Sequence, residues 1–312
     1  TSGSRTIRSS QAYLRQAGAT ARAMLVAAAA RQWDVPVTEI TVNNGIISHA
    51  ASSRTTGFGA VAQVAAGLPV PETVSLKDPA LWTIVGQSVP RIDIPPSVDG
   101  SQVYGADVVL PGMVYAAIAQ SPVFGGKLRA FDASAVLQRR GIIKVFSIDE
   151  DRILAVVADN WWRAKEALQA IEIQWDEGEN AEVSSASILA YFREGLDSVD
   201  AAVLPNSKGD VAQAFREAEQ VLEGEFFTPY LSHAPLEPLG ATVRINGDRI
   251  DVWASTQAAD ATHMNVANAL QVPAEQVYLH RVQTGGGFGR RGSADDFSRP
   301  AALIARALPD NT

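Results

Sequence analysis

Thr284-Gly285-Gly286-Gly287-Phe288-Gly289-Arg290-Arg291 places four glycines within five positions. Without Cβ atoms this backbone can take positive φ, and its N–H groups can approach a ligand closely. Upstream, residues 276–282 alternate Val277, Leu279 and polar neighbours, which predicts a strand. Downstream, a helix is expected to run to about residue 308, capped by Ser298, because Pro300 then falls in its first turn. A strand, a glycine loop and a helix in succession suit an oxyanion or a cofactor.

Spacing excludes two common versions of such a loop. A dinucleotide fingerprint places glycines at the first, third and sixth positions, and the sixth from Gly285 is Arg290. A phosphate-binding loop of the Walker type ends Gly-Lys-Ser/Thr, whereas this one ends Gly-Arg-Arg. A flexible connecting loop stays open as an alternative. Against it stands Phe288, a large apolar side chain set between glycines.

At 312 residues the chain has room for two or three domains. Its 46% hydrophobic and 19% charged residues give a globular balance. A net charge of −8, with no basic run, argues against nucleic acid and against an anionic membrane surface. The longest apolar run, residues 23–30, is bracketed by Arg22 and Arg31 and is too short to span a bilayer. There is no cysteine, so disulfides, thiolate zinc sites, cysteine nucleophiles and cysteine-ligated iron–sulfur clusters are excluded for this chain. The four histidines show no His-Glu-x-x-His pair. The chain opens at Thr1 with no signal peptide and reads as cut at both ends.

In chain order, Ser9 or Ser10 is expected to cap a long alanine-rich helix reaching Trp33, stopped by Pro36. A hairpin follows, residues 40–42 against 46–48, with Asn44-Gly45 in the turn. Helix, Val35-Pro36 and strand have a faint echo in helix, Val272-Pro273 and strand. Residues 90–96, with three prolines, read as a connector. Strands are expected over 103–110, 113–120, 142–146, 153–157 and 171–175, with helices over 133–139 and 161–170. Trp161, Trp162 and Trp175 read as core or interface residues. After a connector with a short amphipathic helix and a turn at 205–209, a helix over 211–219 and a strand over 221–227 are expected. A hairpin over 241–254 and a helix over 260–270 complete the pattern. His233-Ala234-Pro235-Leu236-Glu237-Pro238 holds a histidine and a carboxylate four apart, either an acid–base pair or, as its prolines favour, a rigid turn in which Glu237 accepts from backbone N–H groups.

Gly285-Gly286-Gly287-Phe288-Gly289, about thirty residues after Trp253-Ala254-Ser255-Thr256-Gln257, resembles the molybdenum hydroxylase family, in particular the large subunit of isoquinoline 1-oxidoreductase and its aldehyde-oxidising relatives. The phrase Asp99-Gly100, Tyr104-Gly105, Pro111-Gly112-Met113-Val114-Tyr115-Ala116 and Ser121-Pro122-Val123-Phe124-Gly125-Gly126-Lys127 resembles that family's hammerhead domain. The resemblance implies a mixed α/β and α+β architecture in four parts: a partial cofactor-binding subdomain over 1–83, an α/β hammerhead domain over 84–180, a linker over 181–210, and the start of a molybdopterin-binding domain over 211–312.

It also implies roles. Gln257 matches a glutamine beside the molybdenum. Phe288 and Gly289 match residues whose N–H groups face an apical oxygen ligand, and Gly286, Gly287 and Arg290 join them in holding the cofactor, with Gly3 and Ser4 from the N-terminal segment. Either Arg290 or Arg291 could also pair with cofactor phosphate. Arg290-Arg291-Gly292 departs from the Gly-Lys-Glu of purine-oxidising members, which puts purine recognition in doubt. The implied cofactor is a molybdenum–pterin group, the cytosine dinucleotide form included, and the implied activity is hydroxylation of an N-heterocycle or oxidation of an aldehyde with water as oxygen source. Electrons would pass to a separate small [2Fe-2S] subunit and on to an acceptor such as a cytochrome, in a bacterial periplasm or cytoplasm. The family's general-base glutamate lies in a Gly-x-Gly-Glu phrase that this sequence lacks, so this stretch alone is not expected to turn over. Two other classes remain: a cofactor-free binding or assembly module of the same fold, and a hydrolase using Thr1 as an N-terminal nucleophile.

Overall fold

A computed structural model describes residues 5–196, 208–292 and 296–309, in two compact units, residues 1–101 and 102–312. In the first, a short helix α1 (Arg5–Arg8) precedes α2 (Gln11–Trp33). Ser10 occupies the cap position of α2, but its hydroxyl donates backwards to the Thr6 carbonyl instead of accepting from the helix. Three short strands, β1 (Ile40–Asn43), β2 (Ile46–His49) and β3 (Arg54–Gly57), form an antiparallel sheet, followed by α3 (Phe58–Ala66). Asn44 and Gly45 take φ of 46° and 79°, the left-handed pair that a two-residue hairpin needs. Ala28 and Ala29 of α2, Ile47 of β2, and Val61 and Ala65 of α3 make the core, where small alanine side chains allow close helix approach. Residues 90–96, expected to be a connector, instead lead into a helix, α4 (Ile94–Asp99). Pro95 and Pro96 fall in its first turn, where a missing N–H costs nothing.

The second unit begins with the sheet β4 (Tyr115–Gln120), then β5 (Lys127–Asp132), α5 (Ser134–Leu137), β6 (Ile142–Ile148), β7 (Ile153–Ala158), α6 (Trp161–Gln169) and β8 (Glu172–Asp176). Strand β7 lies between β4 and β6, while β5 pairs with β8. Residues 103–110 form no strand; Gly105–Asp107 is a single 3-10 turn, closed by a bond from Tyr104 N–H to Asp107. Trp161 and Trp162 are exposed and so are not core residues, with Lys165 over both rings.

Beyond α7 (Ser185–Leu196) and α8 (Val211–Glu217) the strand expected over 221–227 is absent, and the residues have no regular structure and no sheet partner among the described residues. The turn expected at 205–209 falls largely outside the described residues. Next come β9 (Ala241–Asn246), β10 (Arg249–Ala254), α9 (Ala259–Leu270), β11 (Val277–Arg281) and α10 (Ser298–Arg306). Ser298 is not the cap of α10: Phe297 holds that position, and Ser298 is already its first helical residue.

Every residue of β7 is buried, and its alternating sides enter different cores. Leu154, Val156 and Ala158 pack with Ala164 and Ala167 of α6. Ile153, Ala155 and Val157 pack with Ala269, Leu303 and Ile304 of α9 and α10. Strand β10 is likewise central, antiparallel to β9 and parallel to β11, and its Ile250, Val252 and Ala254 pack on Val266, Ala267 and Leu270 of α9.

The echo between the two halves is local and close. At the end of α2, Asp34 is left-handed (φ 53°), the Val35 N–H returns to the Ala30 carbonyl at 3.1 Å, and Pro36 starts a 3-10 turn into β1. At the end of α9, Gln271 is left-handed (φ 53°), the Val272 N–H returns to Ala267 at 3.0 Å, and Pro273 starts a 3-10 turn into β11.

Candidate functional site

Strands β10 and β11 run parallel, and the chain leaves both carboxyl ends into the stretches singled out above: Ser255–Gln257 after β10 and Thr284–Arg291 after β11. The crevice beyond the carboxyl ends of parallel strands is a general ligand position. Val282 N–H still bonds the Ala254 carbonyl at 3.2 Å, so the two stretches part only beyond that rung.

Inside the loop Gly286, Phe288 and Gly289 take φ of 93°, 53° and 97°. A positive φ at Phe288 is strained for a residue with a Cβ. Its ring is exposed, folded back so that a Cβ on Gly286 would meet it at 3.6 Å. Two tight turns shape the loop, Arg290 N–H to the Gly287 carbonyl at 2.8 Å and Gly292 N–H to the Gly289 carbonyl at 3.0 Å. Among the described residues the N–H groups of Gly286, Gly287, Phe288 and Gly289 bond no protein acceptor.

Opposite this row lies Gln257. Its N–H donates to the Arg291 carbonyl at 3.0 Å, and Thr256 is braced by Thr262 of α9, hydroxyl to hydroxyl at 2.8 Å. The Gln257 side-chain Oε1 is buried without a hydrogen-bond partner among the described residues. A Cβ on Gly287 would stand 3.0 Å from that oxygen. Either orientation of the carboxamide leaves a polar atom facing the loop.

The structure brings Gln257, Gly286, Gly287, Phe288 and Gly289 to one place. Arg290 stands beside them, paired with Asp296. Arg291 is fully buried, with all five guanidinium N–H donors used internally, so it has none left for a phosphate. Gly3, Ser4 and Thr1 lie outside the described residues.

Sequence reasoning missed how residues 233–237 wrap the loop. Glu237 N–H bonds the Gly285 carbonyl at 3.1 Å, Pro235 and Leu236 lie against Gly286, and the His233 ring lies against Gly289. The Glu237 carboxylate accepts from Gly105 N–H and Gly285 N–H, both at 2.7 Å, and from Arg291 at 2.8 Å. It therefore has a structural role, and the acid–base pairing with His233 is not formed. The two prolines flanking Leu236-Glu237 gave the signal, because they fix φ and leave the carboxylate to bond other main chain.

Among the described residues no three His, Asp or Glu side chains gather as metal ligands, so a metal held here must bring its own. The donor set, main-chain N–H groups and a neutral amide, suits a large polar group with its own anionic atoms.

The sequence profile of the molybdopterin cofactor-binding domain matches residues 197–311. Over 308 residues, 94% of this chain, the sequence is 30% identical to a membrane-bound aldehyde dehydrogenase of Gluconacetobacter polyoxogenes, whose name carries pyrroloquinoline quinone. It is 28% identical to isoquinoline 1-oxidoreductase subunit beta of Brevundimonas diminuta, again over 94% of the chain. The chain belongs to the molybdenum hydroxylase family. It spans 39% and 42% of the length of these two relatives. The fold is that of solved molybdenum hydroxylases. Quinoline 2-oxidoreductase from Pseudomonas putida aligns with a TM-score of 0.56 at 20% identity, over 72% of this chain and 33% of that one. Aldehyde oxidoreductase from Desulfovibrio desulfuricans gives the same TM-score and identity, over 75% and 31%. Among the described residues no helix is long and apolar enough to cross a membrane.

Proposed function

We propose that this molybdenum hydroxylase segment cradles the cofactor of an oxidoreductase that hydroxylates an aromatic N-heterocycle or oxidises an aldehyde. One observation supports the reading above all: the Gln257 side-chain oxygen, buried and without a partner among the described residues, faces a row of N–H groups that there bond no acceptor. A buried polar group left unpaired costs about 1–3 kcal/mol, so such a cluster calls for a polar ligand. A molybdenum–pterin group, when bound, supplies two-electron oxidation of a substrate carbon, with the added oxygen drawn from water.

The chain's own residues have holding tasks. Gln257 would bond one polar ligand of the group through an uncharged amide, which orients it without shifting charge at the metal. Phe288 and Gly289 N–H groups would hold another, and the absent Cβ atoms of Gly286 and Gly287 leave room for it. Arg290 would exchange Asp296 for an anionic part of the cofactor, the cytosine dinucleotide form included, with Gly3 and Ser4 as further contacts. Residues 84–180 would form the hammerhead domain, between cofactor-binding parts over 1–83 and 211–312 and with 181–210 as linker. Because the chain has no cysteine, electrons would leave through a separate small [2Fe-2S] subunit, then to an acceptor such as a cytochrome.

Elemental analysis of the protein purified from its own host is expected to give about one molybdenum per chain, with pterin fluorescence after oxidation. A preparation lacking both metal and pterin would end this reading, leaving a cofactor-free binding module.

A further inference from the structure

We infer that Arg291 and Glu237 are positioning residues, which fix the separation between the Gln257 carboxamide and the loop facing it. The inference rests on the proposed function. The accounting around Arg291 is complete. Its Nε donates to the Gly286 carbonyl at 2.8 Å. Nη1 donates to Ser255, to the carbonyl at 3.2 Å and the hydroxyl at 2.7 Å. Nη2 donates to Glu237, to the carbonyl and to Oε2, both at 2.8 Å. Five donors meet five acceptors, and the side chain is wholly buried.

These acceptors lie on both walls of the site. Ser255 is two residues before Gln257, and Gly286 is one residue before Gly287, the two positions whose side atoms would stand 3.0 Å apart. The Arg291 carbonyl also receives the Gln257 N–H at 3.0 Å, so one residue ties the strand end by main chain and side chain together. Glu237 adds the loop's first N–H at Gly285. Neither charged side chain has capacity left to bond a ligand. A buried ion pair contributes little net stability compared with apolar packing, so its best-attested use is to fix geometry. A rigid fork of five N–H groups does this better than a single ammonium.

The test uses the full-length enzyme with its natural subunits, comparing wild type with Arg291→Met, Arg291→Lys and Ser255→Ala. Molybdenum content, the Mo(V) electron paramagnetic resonance spectrum after dithionite reduction, and turnover of isoquinoline and benzaldehyde are measured. Loss of the fork is expected to lower kcat per bound molybdenum about 100-fold in Arg291→Met, the scale of a 1 Å misplacement, with KM little changed. The Mo(V) spectrum should shift in Arg291→Met, less in Arg291→Lys, which keeps three donors, and least in Ser255→Ala. If Arg291→Met does not fold, the two milder variants decide, and a shifted spectrum in either upholds the inference. Unchanged spectra and unchanged kcat per molybdenum in every variant that folds would overturn it while leaving the proposed function intact. A wild-type enzyme with neither molybdenum nor a Mo(V) signal would instead sink the function itself.

Discussion

Gly287 and Gly285 are both glycines for lack of room, but substitution should act on different properties. A methyl on Gly287 would press on Gln257 Oε1 at 3.0 Å, the far end of a side chain that can yield. Gly287→Ala is therefore expected to leave thermal unfolding nearly unchanged while lowering molybdenum content at least severalfold, both read on one preparation. A methyl on Gly285 would meet Glu237 Cβ at 2.6 Å, and Glu237 is held by Gly105, Ser255 and Arg291. Gly285→Ala should therefore destabilise the fold by about 1–3 kcal/mol, as overpacking does, measured by denaturant unfolding. Away from the site, Asp251 on β10 is almost wholly buried and accepts from Arg249 (3.0 and 2.8 Å), His280 (2.7 Å) and Arg244 (2.9 Å). The Arg249 hydrogen bonds outweigh burial and, with His280 and Arg244, hold this carboxyl well below the usual carboxylate range. A folded pKa below the unfolded one means stability that is present above the unfolded value, about 3.9, and lost as pH falls through the folded one. Asp251→Asn should therefore lower stability at pH 7 by about 2 kcal/mol and flatten the acid limb of the stability profile. Finding the same acid limb in the variant would reject this account.

Burial pattern decides which elements can be read from sequence. The all-apolar run of β7 and the Asn44-Gly45 hairpin are visible because period and turn chemistry agree. Strand β5, Lys-Leu-Arg-Ala-Phe-Asp, was missed because it is mostly exposed and its apolar alternation lasts only four residues, with a register shift inside it. Over 221–227 the error ran the other way: Val221, Leu222, Phe226 and Phe227 suit a strand, but a strand exists only with a partner edge, which sequence does not supply. At the site, Gln257 and the glycine loop were singled out by residue type together with the family resemblance, and the structure brings them together. The Arg291–Glu237 pair was not, since residues 54 apart are joined by the meeting of two loops. The dependence on β7 has a direct test. Leu154 faces the core shared with α6, so Leu154→Ala should cost about 2–5 kcal/mol, whereas Ile143→Ala, at a half-exposed position on β6, should cost under about 1 kcal/mol. Similar losses from the two would argue that β7 is not the central element.

Across the whole molecule, apolar surface is unevenly covered. From residue 218 to 236 the chain has no regular secondary structure, with Leu222, Phe226, Leu231 and Leu236 between 82% and 98% exposed. Soluble chains rarely leave several large apolar side chains uncovered in one stretch, and such surface drives association. The stretch contains His233, against Gly289, and leads directly into Glu237, so it borders the part of the molecule where the site is organised. These 312 residues expressed alone are therefore expected to bind a hydrophobic dye strongly and to associate as concentration rises. Leu222→Ser with Phe226→Ser should reduce both, while the unfolding midpoint stays within the range of surface changes, about 0.5 kcal/mol, because neither side chain has packing to lose. A large drop in stability from the pair would mean that the stretch is packed in solution, and that the apolar residues leading to Glu237 belong to the core that holds the loop in place.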